Sequence, residues 1–279
     1  MTHGLEITPQ LAAQHLDALT GIVARAAAAI LAKPFSSVER RLKDDQTPVT
    51  AADEAAEAII VEGVTRLLPG TAVIAEESIG RAATVSLEPS FVVVDPLDGT
   101  KEFLAGGDEF TVNLGIVTHG IPIAGIIAAP AKGILWRGIV GGAAERLQLR
   151  LGTGAAEVHG HNSIHTRPAP QRLIVTTSRS HLDKQTEDFL ARLPSVERTA
   201  SGSSMKFCSI AQGEADVYPR LSPTCEWDIA AGCAIVAAAG GVVLSPQRGA
   251  LAFGRKAEKF LVPGFIALGD PSLAETMTA

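Results

Sequence analysis

The sequence lacks any long apolar run. Although 46% of its 279 residues are apolar, its longest apolar stretches, such as AIVAAAGGVVL at residues 234–244, are shorter than the roughly 20 residues that a membrane-spanning helix needs. No basic segment followed by an apolar one opens the sequence, so no signal peptide is predicted. We therefore expect a cytoplasmic protein without a membrane span, long enough for one large core or two modest domains.

Cysteines are few. The sequence contains three of them, Cys208, Cys225 and Cys233, and no two have C-x-x-C spacing. An odd number of cysteines without that spacing indicates neither a disulfide framework nor a zinc site. The interpretation that remains is three small thiols, each buried or half-buried.

Positive charge is also scarce. The chain has 24 Lys and Arg residues against 30 Asp and Glu residues, a formal net charge of −6, and no cluster of basic residues. General binding to nucleic acid is therefore not expected, because it requires a basic face that neutralises phosphates. A small anionic substrate remains compatible with this composition, since a bound metal ion and a few placed cations can meet its charge.

The first half of the chain combines helical and strand-like patterns. Apolar residues at helical spacing predict a helix from Leu11 to Leu31, and Thr50 suits the N-cap of a second helix that the Pro-Gly pair at residues 69–70 stops. TAVIAEES and FVVV predict short buried strands. Three further runs, FTVNLGIV, IPIAGIIAAP and GILWRGIV, predict an antiparallel meander with helices on one side and a hairpin turn at residues 119–120.

A polar stretch from about Arg150 to Gln171 predicts a domain boundary. We place an N-terminal α+β domain in residues 1–155 and a C-terminal domain in residues 156–279, where alternating strand and helix patterns favour the α/β class. The strands predicted after the boundary lie near residues 172–178, 196, 214–219, 242 and 265, and the helices near residues 184–193, 203–212 and 227–239.

Acidic residues end several short segments at junctions between strands, loops and helices; they are Asp53, Glu76, Glu77, Asp95, Asp98 and Asp228. Asp53 and Asp228 can each be an ordinary acid in the first turn of a helix, Asp53 in a capping box with Thr50. Glu76 and Glu77 follow the strand AVIA, and their side chains point to opposite sides. One of these two glutamates can simply be a solvated surface residue.

The stretch FVVVDPLDGT makes the strongest case for a bound cation. FVVV is predicted to be buried on both faces, where unpaired Asp95 and Asp98 would be costly or protonated. The candidate ligands are all oxygen atoms, with no histidine at metal-ligand spacing, which indicates a hard ion such as Mg²⁺ and not Zn²⁺. Several carboxylates around two or more ions suit phosphoryl transfer, in which Gly99 lets a backbone N–H approach an anion and Thr100 orients a water.

Taken together, these motifs carry a family resemblance. EE at residues 76–77, DPLDGT at residues 95–100 and WD at residues 227–228 ahead of IAAG resemble the inositol monophosphatase superfamily of Mg²⁺-dependent, lithium-sensitive phosphatases. The motifs occur in the family's order, so the resemblance spans nearly the whole chain. It implies a mixed α+β and α/β fold, the layered αβαβα sandwich of the inositol monophosphatase and fructose-1,6-bisphosphatase type.

The resemblance also implies roles for the motif residues, with two or three Mg²⁺ ions in each active site. The implied ligands are Glu76, Asp95 and the Leu97 carbonyl for the ion that activates the attacking water, Asp95, Asp98 and Asp228 for the ion that faces the leaving oxygen, and Glu77 for a third. The implied catalytic residues are Asp53, Glu76 and Thr100. Thr100, hydrogen-bonded to Asp53 or Glu76, would position the water and help to remove its proton.

The residues around these motifs resemble one branch of the superfamily, the CysQ-type 3′(2′),5′-bisphosphate nucleotidases. The stretches that carry this resemblance are DPLDGTKEFLAGGDEFTVNLGIV, TTSRSH, GSSMKFCSIAQGEADVYPR and PTCEWDIAAG. Lys206 and Arg220 can converge on a 5′-phosphate with Ser203 donating from a helix N-terminus, or they can be solvated charges beside an ordinary N-cap. The substrate-binding residues implied are Gly99, Thr100, His181, Ser203, Lys206, Arg220 and Asp228, and Lys43 resembles part of a loop that closes over the metals.

The hypothesis that follows is hydrolysis of the 3′-phosphate of adenosine 3′,5′-bisphosphate (PAP) to give AMP and phosphate, extending to the sulfated nucleotide PAPS and placing the protein in sulfur metabolism. One alternative is an inositol-1-monophosphatase or another sugar-phosphate phosphatase. A second alternative, outside enzymes, is a catalytically silent module that binds metal or nucleotide. The expected partner is a small phosphorylated nucleotide, and the expected assembly is a monomer or a homodimer.

Overall fold

The computed structural model describes residues 4–33, 40–42, 48–79, 86–152, 155–179, 182–193 and 195–277. The α-helices in these residues are α1 (Pro9–Leu31), α2 (Ala51–Leu67), α3 (Thr100–Leu104), α4 (Lys184–Arg192), α5 (Met205–Ala211) and α6 (Glu226–Ala238). Short 3₁₀ helices span residues 76–79, Pro130–Lys132, Lys256–Glu258 and Pro271–Glu275. No helix in the described ranges combines the length and the apolar character that spanning a membrane requires.

Sixteen strands run through the same residues. The first nine are β1 (Arg40–Leu42), β2 (Pro48–Thr50), β3 (Ala72–Ala75), β4 (Ser90–Asp98), β5 (Thr111–Thr118), β6 (Ile121–Ala129), β7 (Ile134–Ile139), β8 (Ala144–Gly152) and β9 (Ala155–Ser163). The others are β10 (Ile174–Ser178), β11 (Glu197–Ser201), β12 (Val217–Arg220), β13 (Thr224–Cys225), β14 (Val242–Leu244), β15 (Leu261–Val262) and β16 (Phe265–Leu268).

The two long N-terminal helices lie where the sequence predicts them. The Thr8 hydroxyl caps α1 and Pro9 is its first residue, which suits proline because the N–H it lacks would be unpaired there. Thr50 caps α2 in a reciprocal capping box with Asp53. Both predicted helices are therefore confirmed, with bounds shifted by one or two residues.

Strands β3 to β9 form one seven-stranded sheet in sequence order. β3 pairs parallel with β4, and every later neighbour is antiparallel, as the predicted meander requires. The β5–β6 turn has His119 at φ 50° and Gly120 at φ 73°, the left-handed pair that two-residue hairpins favour. The predicted hairpin is thus confirmed.

The prediction that helices cover one side of this sheet is wrong, because helices cover both. Val92 and Val94 of β4 pack into a core with α1 and α2, whereas Phe91 and Val93 pack into a second core with α5 and α6. Successive side chains of a strand point to opposite faces, so these two cores lie on opposite sides of the sheet. FVVV is apolar throughout because both of its faces are buried.

A second sheet of five strands, ordered β11-β10-β12-β16-β14, is built from the second half of the chain. Tyr218 and Phe265 reach the core that holds α5 and α6, and Val217 and Ile266 on the other face pack with Phe189 of α4. The layers therefore run α1/α2, seven-stranded sheet, α5/α6, five-stranded sheet, α4. This is the predicted αβαβα sandwich.

Helix α6 approaches the seven-stranded sheet very closely. Gly115, Gly125 and Gly138 are paired across three adjacent strands and face this helix. A Cβ at Gly115 would lie 2.8 Å from the Ala230 Cβ, and one at Gly125 would lie 2.2 Å from the Ala231 carbonyl oxygen. The stripe of glycines therefore lets α6 pack its backbone onto the sheet.

The change of sheet falls later than the predicted boundary at residue 155. β9 lies inside the stretch that the sequence marks as a polar linker and forms the exposed edge of the seven-stranded sheet. Its polar side chains suit an edge strand that faces water. The connection between the sheets runs from Ser163 to Ile174, and the division into domains stays a prediction.

Replacing Gly125 with Ala should lower the free energy of unfolding by about 3 kcal/mol, because the new Cβ meets backbone that cannot rotate away. Urea unfolding measures the change. Gly21→Ala in α1 is the matched control, since its Cβ would meet no atom nearer than 3.8 Å and alanine favours helix by up to about 1 kcal/mol. Equal stabilities for the two variants would contradict the close packing of α6.

Candidate active site

A cleft of about 280 Å³ lies at the carboxyl end of β4, where the seven-stranded sheet meets α5, α6 and β12. Both halves of the chain contribute to its walls. The predicted site residues that line the cleft are Glu76, Asp95, Leu97, Asp98, Gly99, Thr100, Ser203, Lys206, Arg220 and Asp228. The structure therefore brings most of the predicted set into one place.

The end of β4 carries the first acids. Its pairing with β5 shifts register between Asp95 and Asp98, and the Asp95 Oδ1 accepts a hydrogen bond from the Leu97 N–H at 2.9 Å. Gly99 follows with φ at 90°, a conformation that glycine adopts without steric cost. A Cβ there would lie 2.6 Å from the Ser203 Oγ, so this turn requires glycine on two grounds.

The acids of the cleft crowd one another in a poorly hydrated space. Burial raises the pKa of Asp95 well above its usual range, and the charges that raise this pKa further are those of Glu76, Asp98 and Asp228. Burial also raises the pKa of Asp98 to about 7, and Asp228 adds to that rise. Carboxylates placed in this way are stabilised as anions by a nearby cation.

The donor atoms fit a magnesium site. Carboxylate oxygens and the Leu97 carbonyl are the ligands that Mg²⁺ prefers, and the Thr100 hydroxyl already donates to that carbonyl at 3.0 Å. In the described part of the chain, no three His, Cys, Asp or Glu side chains are arranged around a common metal position. Oxygens of Asp95 and Asp228 accept hydrogen bonds from protein donors, so these carboxylates would have to turn to bind an ion.

Asp228 lies in the first turn of α6 and serves two purposes. Its Oδ2 accepts hydrogen bonds from the Cys225 N–H at 3.2 Å and from the Thr224 hydroxyl, which caps the helix. Burial raises its pKa, and the positive charges of Arg220 and Lys206 act in the opposite direction. The capping interpretation is therefore confirmed, and the same carboxylate also lines the cleft.

Asp53 is 1% exposed and lies behind Thr100. Its Oδ2 accepts hydrogen bonds from the Thr50 N–H at 2.9 Å and the Thr50 hydroxyl at 2.5 Å. Its Oδ1 accepts one from the Thr100 hydroxyl at 3.3 Å. The capping box thus holds Asp53 in a fixed orientation with its second oxygen against Thr100.

Glu76 and Glu77 occupy the 3₁₀ turn after β3. Glu76 lines the cleft, whereas Glu77 is not among the lining residues. The Glu77 N–H donates to the Glu57 Oε2 at 2.8 Å, which ties the turn to α2. The assignment of Glu77 to a third metal position stays a prediction.

Lys206 and Arg220 supply positive charge to the same cleft. Lys206 is 3% exposed, so it is not a solvated surface charge. Its Nζ donates to the carbonyls of Ser201 and Ser203 and lies 5.2 Å from the Tyr218 ring centroid. Burial lowers the pKa of Lys206 to about 8, with the charge of Arg220 acting in the same direction.

Ser203 does not begin helix α5, which starts at Met205 with Ser204 as its N-cap. Ser203 has φ at 48°, and its hydroxyl faces the carbonyl oxygens of Asp98 at 3.1 Å and Glu109 at 2.7 Å. The hydroxyl thus joins two segments of the protein. Its contact with a substrate phosphate stays a prediction.

Two predicted positions fall outside the described residues, namely His181 and Lys43. Sequence reasoning missed eight lining residues, which are Lys101, Glu102, Ser178, Gly202, Ser204, Phe207, Tyr218 and Ile229. Lys101 and Glu102 directly follow the DGT motif, so their position next to it was a usable signal. The other six are brought in by tertiary packing of β10, β12, α5 with the turn before it, and α6.

A layered αβαβα fold with an all-oxygen acid cluster at a strand end defines a class of metal-dependent phosphatases. Residues 12–275 match the inositol monophosphatase family, and the chain belongs to that family. It is similar to several bacterial proteins named 3′(2′),5′-bisphosphate nucleotidase CysQ. The Escherichia coli K12 protein is 39% identical over 233 residues, covering 84% of this chain and 89% of the relative. The Buchnera aphidicola protein is 36% identical over 249 residues, covering 88% and 90%.

Solved structures agree. The crystal structure of CysQ from Bacteroides thetaiotaomicron, a bacterial member of the inositol monophosphatase family, matches with a TM-score of 0.75 and 32% identity, covering 92% of this chain and 97% of that one. An inositol monophosphatase from Zymomonas mobilis matches with a TM-score of 0.73 and 24% identity, covering 95% and 96%. The similarity to the Zymomonas mobilis structure supports the fold alone.

Asp98→Asn should remove the stabilisation that Mg²⁺ gives to the protein without harming the metal-free fold. The amide cannot serve as an anionic ligand, yet it relieves the crowding of buried carboxylates. We expect wild type to gain several degrees in melting temperature on addition of Mg²⁺ and the variant to gain less than one degree. In EDTA at pH 8 the variant should melt at or above the wild-type temperature. An equal gain in melting temperature with Mg²⁺ in both proteins would contradict the assignment of Asp98 as a ligand.

Proposed function

We propose that this chain is a Mg²⁺-dependent 3′(2′),5′-bisphosphate nucleotidase, which hydrolyses the 3′-phosphate of PAP to give AMP and phosphate. The observation that carries the proposal is a single cleft lined by buried acids and by two cations, Lys206 and Arg220. Acids that hold Mg²⁺ suit the phosphate that reacts. Two cations in the same cleft suit a second phosphate better than the hydroxyls of a polyol.

Relatives named as CysQ nucleotidases support the choice of substrate, since they are 36–39% identical over more than four fifths of the chain. The proposal extends to release of the 3′-phosphate from PAPS. The proposal also includes inhibition by lithium and a role in sulfur metabolism. Both rest on the resemblance to the CysQ-type nucleotidases.

The proposed metal ligands are Glu76, Asp95, Asp98, Asp228 and the Leu97 carbonyl, with Glu77 near a further ion. When bound, Mg²⁺ would supply positive charge against the phosphoryl oxygens and lower the pKa of a water molecule. The chain itself supplies the path for the proton. Thr100 accepts the water's proton as its own hydroxyl donates to the Asp53 Oδ1, which lies 3.3 Å away.

The orientation of this relay depends on the capping box. Thr50 donates two hydrogen bonds to the Asp53 Oδ2, and Oδ1 is the oxygen that faces Thr100. The Leu97 carbonyl is a second acceptor for the same hydroxyl at 3.0 Å. If that carbonyl turned to a metal ion, Asp53 would be the acceptor left to the Thr100 hydroxyl.

Thr100→Val should lower kcat for PAP by a factor of about 10² to 10³, because valine keeps the shape of threonine and removes the relay hydroxyl. Thr100→Ser, which retains a hydroxyl, is the matched variant and should keep at least a tenth of the wild-type kcat. The measurement is phosphate release at saturating Mg²⁺. Equal losses in the two variants would argue against a role for the hydroxyl.

Purified protein with Mg²⁺ should release phosphate from PAP with a kcat/KM at least about 10²-fold above that for inositol 1-phosphate, because only PAP presents a second phosphate to the cations. EDTA should abolish both activities. Faster turnover of inositol 1-phosphate would overturn the nucleotidase assignment. Absence of turnover with either substrate would favour a silent binding module.

A further inference from the structure

Two short segments from the two halves of the chain lock together beside the cleft. Glu109, Thr111 and Asn113 alternate along and just before β5, so their side chains lie on one face. All three contact the tripeptide 202–204, which leads into α5. We call this tripeptide the 202–204 turn.

The inner part of the contact is buried. The Ser204 Oγ donates to the Asn113 Oδ1 at 2.7 Å and lies 2.8 Å from the Thr111 Oγ1. The Thr111 hydroxyl in turn faces the Asp98 Oδ2 at 3.5 Å. The 202–204 turn is therefore connected through hydroxyl groups to an acid of the cleft.

Glu109 makes the outer part of the contact. Its Oε2 accepts the Gly202 N–H at 2.9 Å, and its carbonyl accepts the Ser203 hydroxyl at 2.7 Å. A Cβ at Gly202 would lie 2.8 Å from that carbonyl oxygen, so the two backbones meet with no room for a side chain. The Glu109 side chain is only 15% exposed.

Arg179 holds the Glu109 carboxylate from the other side. The guanidinium makes two contacts with it, at 3.0 and 3.1 Å, and also donates to the Ala200 carbonyl at 3.2 Å. A two-point contact between guanidinium and carboxylate fixes direction as well as distance. Glu109 therefore lies between Arg179 and the 202–204 turn, each of which restrains it.

The 202–204 turn also holds the Lys206 ammonium group in position. The ammonium group of this buried lysine donates to the carbonyls of Ser201 and Ser203, which flank and form the turn. A shift of the turn would move these carbonyls and the ammonium group with them. The hydrogen bonds of the Thr100 hydroxyl run to Asp53 and to the Leu97 carbonyl.

We propose that Glu109, fixed by Arg179, is a positioning residue that sets where Lys206 stands relative to the acids of the cleft, and thereby the affinity for the second phosphate of the substrate. This inference rests on the proposed nucleotidase function. It predicts an effect on KM for the substrate that is larger than any effect on the Mg²⁺ requirement or on kcat.

Glu109→Gln keeps the size of the side chain and removes the charge that binds Arg179. We expect KM for PAP to rise about tenfold, because a charged hydrogen-bonded contact is lost. This contact lies away from the reacting centre, so kcat should stay within about twofold of wild type. The Mg²⁺ concentration that gives the half-maximal rate should also stay within about twofold. Arg179→Gln, at a position whose side chain is 60% exposed, should give the same pattern. It serves as the test if Glu109→Gln does not fold.

Asp108→Asn is the matched control. Asp108 is the neighbouring acid, and its carboxylate pairs with Lys132 at 2.7 Å and not with the 202–204 turn. The same charge is lost from the same loop, so KM for PAP should stay within about twofold of wild type.

The outcomes separate the two proposals. A wild-type protein that turns over PAP, with KM unchanged in both Glu109→Gln and Arg179→Gln, overturns the positioning role alone. An equal shift of KM, kcat and the Mg²⁺ requirement would show a merely structural role and also overturn it. A wild-type protein without PAP turnover overturns the proposed function, and the positioning role falls with it.

Discussion

The crowding of buried acids at the end of β4 is the constraint on which the rest of the structure depends. Asp95 and Asp98 reach the cleft from the seven-stranded sheet, and Asp228 reaches it from the first turn of α6. Burial raises the pKa of all three, and the charges of neighbouring acids raise the pKa of Asp95 and Asp98 further. Charged carboxylates in such a cluster need a nearby cation, and the fold brings acids from separate segments into one cleft.

The packing of α6 meets that requirement. Asp228 can stand beside the β4 acids only if the helix lies directly on the sheet, and the paired glycines at 115, 125 and 138 allow that approach. α6 lies between the two sheets with nearly all of its residues buried. A helix buried on every side is apolar all round, which explains why its alanine-rich sequence has no clear amphipathic pattern. The acid cluster and the central layer of the sandwich therefore depend on the same packing.

Local signals predicted much of this from the sequence. The N-cap at Thr50 and the hairpin turn at residues 119–120 depend on contacts between residues close in sequence, and the sequence predicted both. DPLDGT identified the acid cluster because a strand buried on both faces that ends in two acids is costly without a cation. Residues adjacent in sequence thus predicted most of the longer elements and about half of the residues that line the cleft, but not α3, β8 or β9.

Contacts between distant segments could not be predicted in this way. The pattern of β5 gives no indication that Glu109 receives the N–H of Gly202, 93 residues away, because either residue alone fits an ordinary loop. The polar composition of β9 hid an edge strand whose partner, β8, precedes it. The coverage of both sheet faces was missed for the same reason, since the helix that covers the second face comes from the other half of the chain.

Opposite charges in the cleft share one poorly hydrated space, and this couples its acids to its cations. Lys206 lowers the pKa of Asp98, and Asp98 in turn raises the pKa of Lys206 against the larger effect of burial. Mg²⁺ at the acids would offset the negative charge that now attracts the ammonium group. The ammonium group would then attract an anion more strongly, so Mg²⁺ bound at the acids would favour phosphate binding at Lys206. A substrate with two phosphates would gain from the metal ion and from the cations at once, whereas a monophosphate would gain from only one of them.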